Sequence, residues 1–519
     1  MKQSNITGYA HALRQSGTAV LLAWLLGACA SVPLDIPRTP STALSDTGQT
    51  RLGISSIEWR HADPTRDGFY PLTQGRDAFG ARLVLMDAAD ASIDAQYFLM
   101  KPDDAGLVFA SKLIQAAERG VRVRFLLDDI FTTLDDVDLS LMNRHPNIEL
   151  RIFNPISRKG VYAVNYVGNF KLANRRMHNK SFTVDNQVSI VGGRNIAAEY
   201  FQLESTGEFF DFDVMVAGPI VRQVSASFDD YWNHPLAVPF EALNSPKDQK
   251  VLEDRVSESR QRLAESADSI YADSINGDVM RALLNGEVEP YIADARIIVD
   301  SPEKLLREIA PENKVVINEI ADILRQAENS TYLFTPYFIP GKNGVEFLRQ
   351  LVDRGVRVVL VTNSLATNNH TAVHSAWSRY RKDLLEAGVE VWEARADAAT
   401  ITAPDGSTSM EKLTLHTKGI LMDSRWLFVG SLNLDPRSTD INTEMGLLID
   451  SPEMVSVATE NVKTKIPQIA YRLELDDKRK IVWKAEIDGT EVVATSEPQA
   501  SAWKRFQAWF LKIAPEKQL

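Results

Sequence analysis

Glu118-Arg119-Gly120-Val121-Arg122-Val123 recurs later in the chain as Asp353-Arg354-Gly355-Val356-Arg357-Val358. Upstream of each glycine the same apolar spacing appears, with Ala110, Leu113, Ala116 and Ala117 matching Val345, Leu348, Leu351 and Val352. Steps of three and four place each set on one helical face. Glycine is a natural helix stop. The apolar runs after it, Val121 to Leu127 and Val356 to Val361, read as buried parallel strands. Tyr97-Phe98 and Tyr337-Phe338 precede the two helices on segments that also read as strands. Strand, helix and strand in one order, twice, predict an α/β fold made by duplication, with mostly parallel sheets.

Working outward, a length of 519 residues suits two such units. The expected units are 55–244 and 301–472, joined by a charge-rich helical linker over 245–300. An extension over 473–519 follows, with an amphipathic helix. Composition is that of a globular protein, 44% hydrophobic and 24% charged. The net charge of -12 argues against a protein that grips nucleic-acid backbones, which would show a basic balance. No nucleic-acid partner is expected.

The single cysteine, Cys29, excludes an internal disulfide and a cysteine metal site. Lys2 and Arg14, an apolar stretch from Thr18 to Leu26, and then Leu26-Gly27-Ala28-Cys29 have the order of a secretory signal. The apolar run is short for a membrane span. Leu-Gly-Ala-Cys resembles a bacterial lipoprotein box, which makes 1–28 a signal peptide, Cys29 the lipidated residue and 29–54 a linker. Ala30 stands where an aspartate would favour the inner membrane. The expectation is a lipid-anchored, periplasm-facing protein of the bacterial envelope, at the outer rather than the inner membrane. A signal that ends near a cysteine by chance, or an uncleaved anchor, is the other reading.

Both halves carry a second shared pattern. The first reads Met177-His178-Asn179-Lys180, Asp185, then Gly192-Gly193-Arg194-Asn195. The second reads Leu415-His416-Thr417-Lys418, Asp423, then Gly430-Ser431-Leu432-Asn433. The two histidines lie almost as far apart as Gly120 and Gly355, so these cassettes are in register with the repeat. On an extended segment, residues two apart face the same way, and His and Lys of each pair then face one site. A phosphodiester under attack gathers negative charge on its non-bridging oxygens. Lys180, Lys418, Asn195 and Asn433 supply the donors for those oxygens, with no metal and no cofactor required. One neutral imidazole can attack phosphorus while the other, protonated, feeds the leaving oxygen. Acidic elements follow each cassette, Phe210-Asp211-Phe212-Asp213-Val214 and Ile441-Asn442-Thr443-Glu444-Met445. Asp213 and Glu444 are the expected carboxylates that orient the imidazoles.

The pattern H-x-K-x4-D-x6-G-S-x-N, present twice, resembles the phospholipase D superfamily over about Ser55 to Arg472. The resemblance implies two α/β/α sandwich domains related by a pseudo-twofold axis, with one active site between them. It implies a phosphohistidine intermediate, His178 as nucleophile and His416 as acid and then base. It gives Asp185, Asp423, Gly192, Gly193, Gly430 and Ser431 supporting roles. Gly193 departs from the pattern, lacking the hydroxyl of Ser431. Gly192-Gly193-Arg194-Asn195, with Glu199-Tyr200-Phe201 after it, and the stretch from Arg379 to Val389 are similar to bacterial cardiolipin synthases of the C type. A phosphatidyltransferase acting on phospholipid at a membrane surface is therefore expected, working as a monomer because both cassettes share one chain. Hydrolysis to phosphatidic acid is the alternative, and a nuclease or a catalytically dead binding module is less favoured.

Three further features stay outside that scheme. His370 and His374, four apart, suit a helix surface or pocket rim better than a metal site. Lys171, Arg175 and Arg176 read equally as lipid-phosphate contacts or a solvated loop. Trp503, Phe506, Phe510 and Ile513, with Lys504, Arg505 and Lys512 among them, suit either a membrane-surface helix or one docked on the protein's own core.

Overall fold

The computed structural model describes residues 32, 34–158, 162–203, 209–243, 248–275, 281–282, 285–402, 408–411, 414–487, 489–513 and 516. Cys29 and the signal region lie outside the described residues.

The first half supplies strands β1 (Asp67–Leu72), β2 (Ser92–Tyr97), β3 (Arg122–Asp128), β4 (Ile148–Phe153), β5 (Ser181–Val184), β6 (Val188–Gly192), β7 (Asp213–Ala217) and β8 (Ala237–Pro239). The second supplies β9 (Tyr291–Val299), β10 (Ser330–Phe334), β11 (Arg357–Asn363), β12 (Glu390–Ala394), β13 (Gly419–Met422), β14 (Trp426–Gly430), β15 (Met445–Asp450), β16 (Ala470–Leu475), β17 (Ile481–Ile487) and β18 (Thr490–Ala494). In space the first half runs β8-β4-β3-β2-β5-β6-β7-β1. Strand β1 then pairs with β9, and the second half continues β15-β14-β13-β10-β11-β12-β16-β17-β18. The result is one 18-stranded sheet. Apolar residues of β1 and β7 meet those of β14 and β15 at the junction, with Phe69 and Val216 in one cluster with Val429 and Leu447.

The repeated helices are α1 (Asp104–Glu118) and α2 (Gly341–Asp353). Asp103 caps α1 by accepting from the Gly106 amide. Gly120 and Gly355 end them at φ +96 and +90, backbone that a side chain would oppose.

The sheet is less parallel than the repeat suggested. Within this sheet, parallel pairing is confined to β2-β3-β4 and β10-β11-β12, the strands joined by helices. The cassette strands are joined by tight turns through Asp185-Asn186 and Asp423-Ser424, all at positive φ. Such a turn connects only antiparallel neighbours.

Two boundaries also differ. The stretch 245–300, expected to be a linker, holds the helix Gln249–Ile275, whose Arg255 pairs with Asp135 and Asp138 of the first half. The same stretch ends in β9, which already pairs with β15 in the second half of the sheet. Strands β17 and β18 likewise carry that sheet past residue 472. The segment expected to be a linker before residue 54 is strapped onto the first half. Arg151 donates to the Thr39 carbonyl, Arg124 to that of Ser41, and the Ala43 amide to Asp229.

Candidate active site

Both cassettes lie immediately before a central strand, His178 and Lys180 ahead of β5, His416 and Lys418 ahead of β13. Each is held by the other half. The amide of His178 donates to the Thr443 carbonyl (3.0 Å), and that of His416 to the Phe210 carbonyl (2.8 Å). The parallel registers are Met177 opposite Thr443 and Leu415 opposite Phe210. By the repeat, the counterpart of Thr443 is Phe212, so the second pairing is offset by two residues. An even offset keeps the same face toward the site.

That offset decides the carboxylates. His178 Nδ1 lies 2.9 Å from Glu444. His416 Nδ1 lies 2.6 Å from Asp211, not from Asp213. Asp213 is instead fully buried against Arg82 (2.8 Å) and Arg194 (3.5 Å). Arg194 also donates to the Asp211 carbonyl (2.5 Å), which fixes the displaced segment.

Gly193 and Ser431 follow from the same asymmetry. A Cβ at Gly193 would sit 2.3 Å from a carboxylate oxygen of Asp211, so the Asp211 pairing leaves no room for a serine there. In the other half Ser431 Oγ donates to Glu444 (2.5 Å) while accepting from the Met445 amide (3.0 Å). At Gly192 and Gly430 a Cβ would meet Asp213 Oδ1 at 2.1 Å and the Met445 carbonyl at 2.2 Å. Asp185 and Asp423 stand away from the histidines. Each accepts three successive amides at the entrance to a parallel strand, those of Asp90, Ala91 and Ser92, and those of Glu328, Asn329 and Ser330.

The site is buried yet strongly charged. Both histidines are 6% exposed, Lys180 2% and Lys418 1%. Each lysine curls to its histidine's carbonyl, at 2.6 Å for Lys180 and 2.5 Å for Lys418. Burial, then Lys180 and Lys418, hold the His178 imidazole neutral. Burial and Lys418 push His416 down to about 3 against the pull of Asp211. Burial lowers Lys180 to about 7 and Lys418 to about 8. The carboxylates part company. Burial works against ionisation of Asp211, but Lys418 and then His416 hold it below the usual range. Burial raises Glu444 to about 7 despite Lys180. Groups whose environments push their proton affinities apart suit acid and base work.

Asn195 and Asn433 are buried beside the cassettes, each with an amide oxygen that has no partner among the described residues. Buried polar ends left unmatched suit a site completed by a polar ligand. Phe98 sets its edge on His178 (4.7 Å), Phe209 stacks on His416 (5.0 Å), and Tyr200 closes on His416 edge-on (5.1 Å).

The family described as "Cardiolipin synthase, PLD-like domain" matches residues 83–232 and 320–465, one stretch in each half. Cardiolipin synthase C of Escherichia coli is 35% identical over 481 residues, which cover 90% of this chain and 99% of the relative. The chain belongs to the cardiolipin synthase family with the duplicated PLD-like domain. A protein of Helicobacter pylori without an assigned function is 30% identical, over 96% of this chain and 99% of its own. The crystal structure of phosphatidylserine synthase from Haemophilus influenzae superposes with a TM-score of 0.56 at 15% identity, covering 88% of this chain and 96% of that one. That likeness shows the fold.

Several residues of this family member were not singled out from the sequence. Asp211 was passed over because strand alternation treats it and Asp213 alike. The visible trace of its role was Gly193. Arg437 is near enough to depress His178 further, and it donates to the side chain and carbonyl of Asn174. Arg176 is buried against Asp128 (3.2 Å), a structural role that neither reading of its basic run foresaw; Lys171 is exposed. His374 is not at a rim. It is buried beside Arg381 (3.0 Å) and Glu497 (3.4 Å).

Proposed function

We propose that the chain is a phospholipid phosphatidyltransferase of the cardiolipin synthase kind, with one composite site. The crossed pairing carries this reading: His178 leans on Glu444 and His416 on Asp211, each from the opposite half. In the first step His178 Nε2 attacks phosphorus, the bond to the leaving alcohol breaks, and His416 gives that oxygen a proton. In the second, His416 takes the proton of an acceptor hydroxyl, whose oxygen displaces His178. Lys180, Lys418 and the two asparagines hold the non-bridging oxygens throughout. Burial first and Lys418 second keep His416 neutral, and a phosphodiester anion against the ammoniums offsets the second of these. Ionised Asp211 then supports its charged form. His178, backed by a carboxyl of raised proton affinity, stays neutral and nucleophilic.

The donor is a phospholipid such as phosphatidylglycerol. A second lipid alcohol as acceptor yields cardiolipin, and water yields phosphatidic acid. The enzyme works at a membrane surface, held by lipid on Cys29 and facing the periplasm at the outer membrane. No described helix is long and apolar enough to cross a membrane.

Purified protein incubated with phosphatidylglycerol, with phosphatidylethanolamine added, and separately with DNA, distinguishes the outcomes. Cardiolipin is the expected product, in the presence of chelator and lost in His178→Ala and His416→Ala. Phosphatidic acid alone would identify a hydrolase, and cut DNA would refute lipid specificity. Full activity in either histidine variant would sink the mechanism.

A further inference from the structure

The carboxyl ends of the parallel strands in each half lead to the histidines and also to unusually apolar surface. After β2 comes Phe98, whose ring touches both His178 and Phe131 (4.9 Å), and Phe131 is 43% exposed. After β4 the chain carries Val167 and Phe170, 72% and 43% exposed. In the second half the loop after β11 holds the other cassette, since the Thr414 hydroxyl donates to the Thr367 carbonyl (2.9 Å). The helix α3 (Ala502–Phe510) is fastened to that same loop. Lys504 donates to the carbonyls of Ala366 (3.2 Å) and Asn368 (2.8 Å), and Ser375 Oγ to that of Ala508 (2.6 Å).

Of this helix only Ala508 is buried. Trp503 is 65% exposed, Phe506 50%, Trp509 66%, Phe510 55%, and Ile513 beyond it 80%. Their rings contact one another through Phe506, so the patch is continuous. Residues 502–513 hold Lys504, Arg505 and Lys512 and no acid, in a chain of net charge -12. Lys504 is turned to the loop carbonyls and Arg505 to that of Glu497, which leaves the aromatic patch with the exposed Lys512 beside it. An aromatic face with a cation at its edge and no acid in the segment complements an anionic lipid surface, where tryptophan and phenylalanine settle at headgroup depth.

We propose that α3 and the apolar lip of Phe131, Val167 and Phe170 form one docking face for an anionic bilayer, with the paired histidines between its two parts. The proposal rests on the phosphatidyltransferase reading and names the surface from which that site draws its substrate. The lipid headgroups then meet the site without leaving the membrane.

Two measurements on the full-length lipidated protein test it. Vesicles of phosphatidylglycerol and phosphatidylethanolamine with brominated acyl chains are expected to quench part of the tryptophan emission. Trp503→Phe with Trp509→Phe should remove that part, and unchanged quenching would overturn the proposal. The triple variant Trp503→Ser, Trp509→Ser, Phe510→Ser is expected to lose roughly tenfold or more in transfer on vesicles. Its activity on short-chain phosphatidylglycerol below the micelle threshold should stay unchanged. Equal loss on both substrates, or a dimer in sedimentation that the triple variant dissolves, would assign the face to the protein's own packing instead. Quenching without any lipid transfer by the wild type would refute the phosphatidyltransferase reading and leave the docking face standing.

Discussion

Asp211 and Asp213 are separated by one residue and differ in everything that their substitution would change. Asp213 neutralises Arg82 where both are at most 2% exposed. Asp213→Asn leaves that guanidinium buried without its charge partner, at a cost of about 3–5 kcal/mol, visible as a lower urea midpoint. Asp211→Asn removes the carboxylate behind His416 and should cost ~10²–10⁴ in kcat with a smaller change in midpoint. A larger kcat loss in the Asp213 variant, at unchanged stability, would return the partner role to Asp213. The lysines set a pH limit. With Lys180 lowered to about 7 and Lys418 to about 8, both are charged below those values and lose their protons above them. kcat/KM should fall as pH rises through that range, because the ammoniums that grip the phosphate disappear. A flat profile from about pH 6 to about pH 9 would contradict it.

At the scale of elements, the parallel strands, their helices and the cassettes were legible in the sequence because each depends on local periodicity and a visible repeat. The sheet's antiparallel majority was less so, since the helical spacing spoke only for β2-β3-β4 and β10-β11-β12. The register between Leu415 and Phe210 left a single local trace, Gly193, and no periodicity in either segment. Pairing between segments about 200 residues apart is set by tertiary contacts such as Arg194 on the Asp211 carbonyl. Gly193 records that register. Gly193→Ser would push the Asp211 carboxylate, a movable side-chain end, away from His416. Activity should drop well over tenfold while the unfolding midpoint moves little; a variant of normal activity would show that Asp211 has room to spare. Asp185 is a different device. Asp185→Ala frees three amides at the start of β2 and should cost about 2–5 kcal/mol in unfolding, with the active-site residues themselves unchanged.

On the scale of the molecule, each histidine depends on a carboxylate across the junction, so the two halves share one site rather than owning two. Mixing His178→Ala chains with His416→Ala chains should restore no activity, because each chain holds one defective composite site. Recovery on mixing, followed by product analysis, would reveal exchange of halves between chains. The strap from Leu34, packed on the apolar cluster of Phe153 and Leu236, to Ala43, bonded to Asp229, adds a limit on reach. With lipid on Cys29, only five steps of backbone join the acyl group to Leu34, less than about 20 Å even when fully extended. A globule of this length has a radius of gyration of roughly 24 Å. Such a leash, shorter than the body it would hold, would keep the enzyme from turning over or from bridging to a facing membrane. Donor and acceptor would then have to come from the one leaflet in which the anchor sits.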